Sequence, residues 1–188
     1  MNNAIKATAP PAPGGFTEDS FKAFLNGRDE PSWLIERRRE AFARYQAFAW
    51  PSARDEEWRR TDLRALKLNS FTPPCPESPS QESRTALDSL WQTLNSHYGA
   101  GIEHVNGSTV RQADPAQLGG AVFLDLDRAV ADQPELLRRY LMTRAVKPDD
   151  DIFAALHAAF WTGGTLLYVP RGVKVEVPLF SLVGLANE

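Results

Sequence analysis

Ala155-Leu-His-Ala-Ala-Phe-Trp-Thr-Gly-Gly-Thr-Leu-Leu-Tyr-Val-Pro-Arg-Gly-Val-Lys-Val-Glu-Val-Pro-Leu179 changes its hydrophobic period half way along. Up to Phe160 the apolar residues Ile152, Phe153, Leu156, Ala159 and Phe160 share one helical face, behind a start at Asp149, Asp150 and Asp151 whose carboxylates suit free helix N–H groups. Gly163-Gly164 predicts the stop. From Thr165 the period becomes two: a strand over Leu166–Val169, a turn from Pro170 to Gly172, then Val173, Val175, Val177 and Leu179 alternating with Lys174, Glu176 and Pro178. A second apolar run, Leu179–Leu185, follows. A helix handing over to strands, near the end of the chain, makes the fold α+β.

Residue usage upstream agrees with that division. All ten valines, Val105 to Val183, lie beyond residue 100, and nine of the twelve glycines fall from Gly99 onward. Valine is stiff at its first side-chain torsion and suits a pleated surface, so a helical half precedes a strand-containing half. Pro10, Pro11 and Pro13 with Gly14 and Gly15 predict a disordered arm over 1–15. Pro73, Pro74, Pro76 and Pro79 mark a linker over 69–83.

Between these seams the helical region, 16–68, has three candidate helices. Thr17 caps the first, with Glu18 and Asp19 in its first turn, Phe21, Phe24 and Leu25 on its buried face, and Gly27 ending it in the left-handed conformation. Pro31 opens the second, where Leu34, Ile35, Ala41, Phe42, Tyr45, Phe48 and Ala49 recur at helical spacing up to Pro51. Ser52 and Asp55 have capping-box form ahead of Trp58, Leu63, Leu66 and Leu68. The segment 84–163 is mixed. Leu87, Leu90, Trp91 and Leu94 give a helix ending near Gly99. Asn106-Gly107 joins Ile102–Val105 and Ser108–Gln112 as a two-residue hairpin. Ala121–Leu124 is a short strand, and Asp125 or Asp127 caps a helix through Leu136, Leu137, Tyr140 and Leu141.

Composition excludes several classes of function. The 188 residues carry 21 basic and 24 acidic side chains, a formal charge of −3, and one cysteine. The near-neutral balance argues against nucleic acid or a membrane surface as the main partner. No apolar run reaches the roughly 20 residues of a membrane span, and the N-terminus lacks the pattern of a signal peptide, so a cytoplasmic location is expected. Cys75 alone forms no intrachain disulfide and supplies no cysteine-rich zinc or iron–sulfur site; in Thr72-Pro-Pro-Cys-Pro-Glu it has no basic neighbour to activate it. His97, His104 and His157 show no ligand spacing. Asp125, Asp127 and Asp149–Asp151 precede helices and read as caps. Gly163-Gly164 follows a helix and precedes a strand, the reverse of a phosphate loop, and reads as a turn. Arg37, Arg38 and Arg39, with Arg59 and Arg60, lie in a stretch where ten basic face eight acidic residues, which reads as a solvated, salt-bridged surface. Trp33, Trp50, Trp58, Trp91 and Trp161 read as packing residues. No serine, histidine and acid assemble into a catalytic set, and no catalytic, cofactor-binding or metal residue is assigned.

Two stretches carry a family resemblance. Glu30-Pro-Ser-Trp-Leu-Ile-Glu-Arg-Arg-Arg-Glu-Ala-Phe42, continuing to Asp55-Glu-Glu-Trp-Arg-Arg-Thr-Asp-Leu63, resembles the N-terminal region of the SufD branch of the SufB/SufD family of iron–sulfur cluster assembly proteins. The stretch Ala155–Leu179 quoted above looks like the segment leading into that family's core, with Val122-Phe-Leu-Asp-Leu-Asp127 in the expected order between them. The resemblance implies a non-catalytic scaffold subunit with a helical N-terminal region, a right-handed parallel β-helix core and a C-terminal region that docks the ABC-type ATPase SufC, in a complex with SufB and SufD. Residues 164–188 would then be the truncated start of the β-helix. The same resemblance implies that the iron–sulfur cluster belongs to the full complex, with none expected to be bound by this segment. A solenoid coil buries its inward face only by stacking on the next, so an uncapped edge here implies either further chain or self-association. The alternative from another class is a free-standing α+β domain that binds a small molecule or a protein of unknown kind; an RNA-binding module is a third.

Overall fold

A computed structural model of the chain describes residues 15–73, 81–98, 100–113 and 118–185, with the side chains of 81–83 and His97 outside the description. Helices come first and two small sheets follow, an α+β arrangement.

α1 (Glu18–Asn26) starts in a full capping box. Thr17 Oγ1 accepts from the Ser20 N–H at 3.2 Å, and Ser20 Oγ accepts from the Thr17 N–H at 2.8 Å. Its end departs from expectation: Gly27 is not left-handed (φ −85°), because the last turn tightens and the Arg28 N–H bonds the Leu25 carbonyl. α2 (Ser32–Ala47) begins directly after Pro31, whose missing N–H costs nothing there, and stops short of Pro51. α6 (Ile152–Phe160) is capped by Asp151, which accepts from the Phe153 and Ala154 N–H groups at 2.7 and 2.8 Å.

These three helices make the first core. Phe160 stands at its centre, with the rings of Phe16, Phe21, Phe24 and Phe42 between 5.0 and 5.9 Å away, while Phe21 and Phe42 stack at 4.2 Å. Ala155, Ala158 and Ala159 keep the adjoining face of α6 small, so α2 and α6 lie close together.

The helix expected from Ser52 does not form. Residues 51–67 are turns, followed by a single 3₁₀ turn at Leu68–Ser70. The Ser52–Asp55 hydrogen bonds exist, at 2.7 and 3.1 Å, but they close an isolated turn. Trp58, Leu63, Leu66 and Leu68 are only half-buried, too little apolar burial to hold a helix in water.

Gly15 is held by a hydrogen bond from its N–H to the Phe71 carbonyl at 2.6 Å; the rest of the arm expected over 1–15 lies outside the described residues. Of the proline-rich segment, 74–80 lie outside as well. α3 (Gln81–His97) begins inside the segment expected to run as linker to Ser83.

β1 (Ala100–Val105) and β2 (Ser108–Ala113) form the expected hairpin, with Asn106 and Gly107 at φ 51° and 80°. β3 (Val122–Asp125) leads to α4 (Leu126–Asp132), capped by Asp125. Pro134 opens a separate α5 (Pro134–Tyr140), so the one helix predicted here is two. β4 (Thr165–Tyr168) pairs antiparallel with β3, and β5 (Leu179–Gly184) pairs parallel with β1, from Ala100 opposite Leu179 to Val105 opposite Gly184. The strand order is β2-β1-β5 in one sheet and β3-β4 in the other. The Val173–Leu179 alternation is not a strand: the turn at Pro170–Gly172 forms, but pairing begins only at Leu179. Among the described residues these strands close no solenoid coil.

One face of the first sheet packs Ala100 and Ile102 against Phe123, and α3 lies over the other through Trp91. Gly101 is obligatory there, since a Cβ would stand 2.1 Å from Phe180 Cζ on the paired strand. Gly163 serves a second close approach: a Cβ would meet the Gly107 carbonyl oxygen at 2.7 Å, where the hairpin tip abuts the α6–β4 connection.

Candidate functional site

Arg38 departs most from its sequence reading. Between two other arginines it reads as a solvated surface charge, yet it is 0% exposed. Its guanidinium donates twice to Glu30, from Nε at 2.7 Å and Nη2 at 2.8 Å, and once to the Ala159 carbonyl at 3.0 Å. The Trp161 ring lies 4.3 Å from its centre, and Phe24 5.3 Å. Burial draws its pKa down and Glu30 opposes the shift. Glu30 also accepts from Arg28, which reaches Asp127. This network ties the α1–α2 loop to the end of α6. The three arginines therefore form no continuous basic face: Arg37 donates to the Leu137 and Arg138 carbonyls, and Arg39 alone of the three is exposed.

A second polar chain joins the sheets. His104, buried on β1, has Thr109 Oγ1 at 3.2 Å from Nδ1 and Thr165 Oγ1 at 3.1 Å from Nε2, and Thr165 Oγ1 lies 3.0 Å from Ser181 Oγ. Burial lowers its pKa, partly offset by Asp125 and Asp127. Both ring nitrogens face hydroxyls and neither a carboxylate, so a catalytic triad is not assembled around it.

Under α3 lies a cleft of ≈480 Å³ lined by Arg84, Leu87, Asp88, Glu103, Val105, Val110 and Arg111. Glu103, 1% exposed, accepts through Oε2 from Arg111 Nε, and Arg111 also bonds Asp88.

The third feature is an open apolar edge. Among the described residues β5 has β1 on one side only, and Leu167, Val169, Val177, Val183 and Leu185 are exposed, the last two at 70% and 88%. Val183 lies on β5 itself and Leu185 directly follows it.

The remaining candidates fall as follows. Cys75 and the His97 side chain lie outside the described residues. His157 is on the exposed side of α6. Asp125 and Asp151 are caps, and Asp149 pairs with Arg44. Trp91 and Trp161 are buried, Trp50 is exposed, and Trp50 and Trp58 both meet Phe153. Among the described residues no group of three or more His, Cys, Asp or Glu is placed to hold a metal ion, and no helix is long and apolar enough to cross a membrane. Sequence reasoning missed Glu103, whose signal is a carboxylate inside the alternation Gly101, Glu103, Val105.

The described residues thus comprise a core of three helices, a hairpin and a sheet with one open edge. Residues 21–180 match the family model for the SufBD protein N-terminal region, and the chain belongs to that family. It is 27% identical over 189 residues to the iron–sulfur cluster assembly protein SufB of Bacillus subtilis (strain 168), an alignment covering 93% of this chain and 39% of that protein. It is 23% identical over 185 residues to the iron–sulfur cluster assembly SufBD family protein ABCI9 of Arabidopsis thaliana, covering 90% and 39%. A SufBD family protein of Staphylococcus aureus (strain USA300) is 26% identical, covering 93% and 39%. The chain thus spans about two fifths of the length of these curated relatives. Their names establish the family and not its SufD branch.

Proposed function

We propose that this chain is the N-terminal portion of a non-catalytic scaffold subunit in a SUF-type iron–sulfur cluster assembly complex. Family membership supports the pathway, and the observation that carries the scaffold role is the unpaired β5 edge with its exposed Val183 and Leu185. An apolar strand edge is an aggregation hazard unless another strand covers it. In this reading β5 is the first rung of a right-handed parallel β-helix, and the parallel β1–β5 pair is its starting register. The helical layer is the lid on that end. The cluster is the complex's cargo, held outside this segment; the partners are a SufB-like subunit and a SufC-like ATPase, met in the cytoplasm.

The test is co-purification of a chain extended to the length of the relatives with SufB and SufC homologues, beside the 188-residue chain. The extended protein should recover both partners in stoichiometric amount. Recovery of neither overturns the proposal.

A further inference from the structure

Beside the outward side of α6 runs a groove of ≈450 Å³ whose walls include Phe16, Phe71, Phe153, Leu156 and Trp161, with His157 adding a ring N–H. Phe71 is 50% exposed there. Aromatic walls with a donor among them are the surface that takes proline-rich chain in the polyproline II conformation: rings pack on prolines, and the donor meets a backbone carbonyl that this conformation leaves unbonded. The chain carries such a segment next to the groove. Ala9-Pro10-Pro11-Ala12-Pro13 precedes Gly14-Gly15, and Lys6 is the only charged side chain in residues 1–14. With three residues per turn, Pro10 and Pro13 fall on one edge. The Gly15 N–H is bonded to the Phe71 carbonyl at 2.6 Å and Phe16 lines the groove, so residues 1–14, outside the described residues, join the fold at the groove's own wall.

We propose that this groove is the docking site for residues 9–13 of the same chain. Composition alone predicts disorder over 1–15; the groove supplies a covering surface that composition does not show. Only Gly14 separates Pro13 from the anchored Gly15, and so short a tether holds the segment at an effective concentration on the order of millimolar. A proline-rich segment of another protein lacks that advantage. Proline's fixed φ also lowers the entropy lost on docking. No residue of β5 lines the groove, so the proposal is independent of the scaffold reading.

Backbone nitrogen-15 relaxation on the 188-residue chain tests this. The order parameters of Ala9 and Ala12 should exceed about 0.6, the level below which backbone is flexible. Leu156→Asp and Phe71→Ser change the groove and leave the arm untouched; each should drop both order parameters below that level, and either decides alone if the other fails to fold. Changing Pro10, Pro11 and Pro13 together to serine should move the amide signals of residues 153–163 while those of β5 stay in place. Flexible Ala9 and Ala12 in the native chain, order that survives in the folded groove variants, or serine changes that leave 153–163 unmoved overturn the proposal. Order that fades on dilution assigns the groove to the arm of a second copy and overturns docking within one chain.

Discussion

Arg38 carries a charge to a place where none of its side chain meets water, and removing it exposes what it balances. Arg38→Ala leaves the buried Glu30 carboxylate with only Arg28 as its ion-pair partner. Breaking a buried pair on one side costs about 3–5 kcal/mol, so urea denaturation should show a loss of that order. Replacing both partners, Glu30→Gln with Arg38→Met, should cost less than the single change. His104 makes a pH-dependent contribution. Its folded pKa lies below its ordinary 6.5, so the unfolded chain binds the proton more readily. Stability from this residue is complete above about pH 6.5 and is lost as pH falls through that value toward the folded pKa. Tm measured from pH 7.5 to 5.0 should fall more steeply for the native chain than for His104→Gln. The buried arginine was in fact legible: Leu34, Arg38, Ala41 and Phe42 fall on one helical stripe, and the flanking Arg37 and Arg39 concealed it. His104 was not, because the hydroxyls that meet its two ring nitrogens come from two other strands, one of them 61 residues away.

At the scale of elements, the glycine–aromatic contact across β1 and β5 is the most exacting fit. Gly101→Ala should cost roughly 1–3 kcal/mol through overpacking against Phe180. In a Phe180→Ala background the same change should cost little, and a double-mutant cycle by chemical denaturation measures the coupling. Elements with a local chemical cause were readable from sequence: the Thr17 and Asp151 caps, the Asn106-Gly107 turn, the turn ending at Gly172. Those that failed depended on a neighbour. Ser52–Leu68 has helical spacing but no surface on which to bury it. Val173–Leu179 has strand alternation, yet Lys174 and Glu176 pair with each other at 2.8 Å in the open, and Pro178 offers no N–H to a ladder. Pairing passed instead to the run that lies beside β1.

For the whole molecule, the open edge sets behaviour in solution. The 188-residue chain should self-associate with rising concentration, and the pair Val183→Lys with Leu185→Lys should shift it toward monomer in sedimentation velocity, since lysine on an edge strand blocks strand addition. The α+β division was visible in valine usage alone, but the parallel pairing was not, since nothing local announces which distant strand Ala100–Val105 will meet. That pairing has a consequence for biosynthesis. Ala100 waits for Leu179, 79 residues later, and Arg38 waits for Ala159, 121 residues later. At the ribosome's roughly 5–20 residues per second, the hairpin, complete at Ala113, stands without its third strand for roughly 3–13 s, and the apolar faces of α1 and α2 wait longer still. Neither core closes on a nascent chain shorter than about 160 residues, so ribosome-bound intermediates of this protein are natural clients for chaperones.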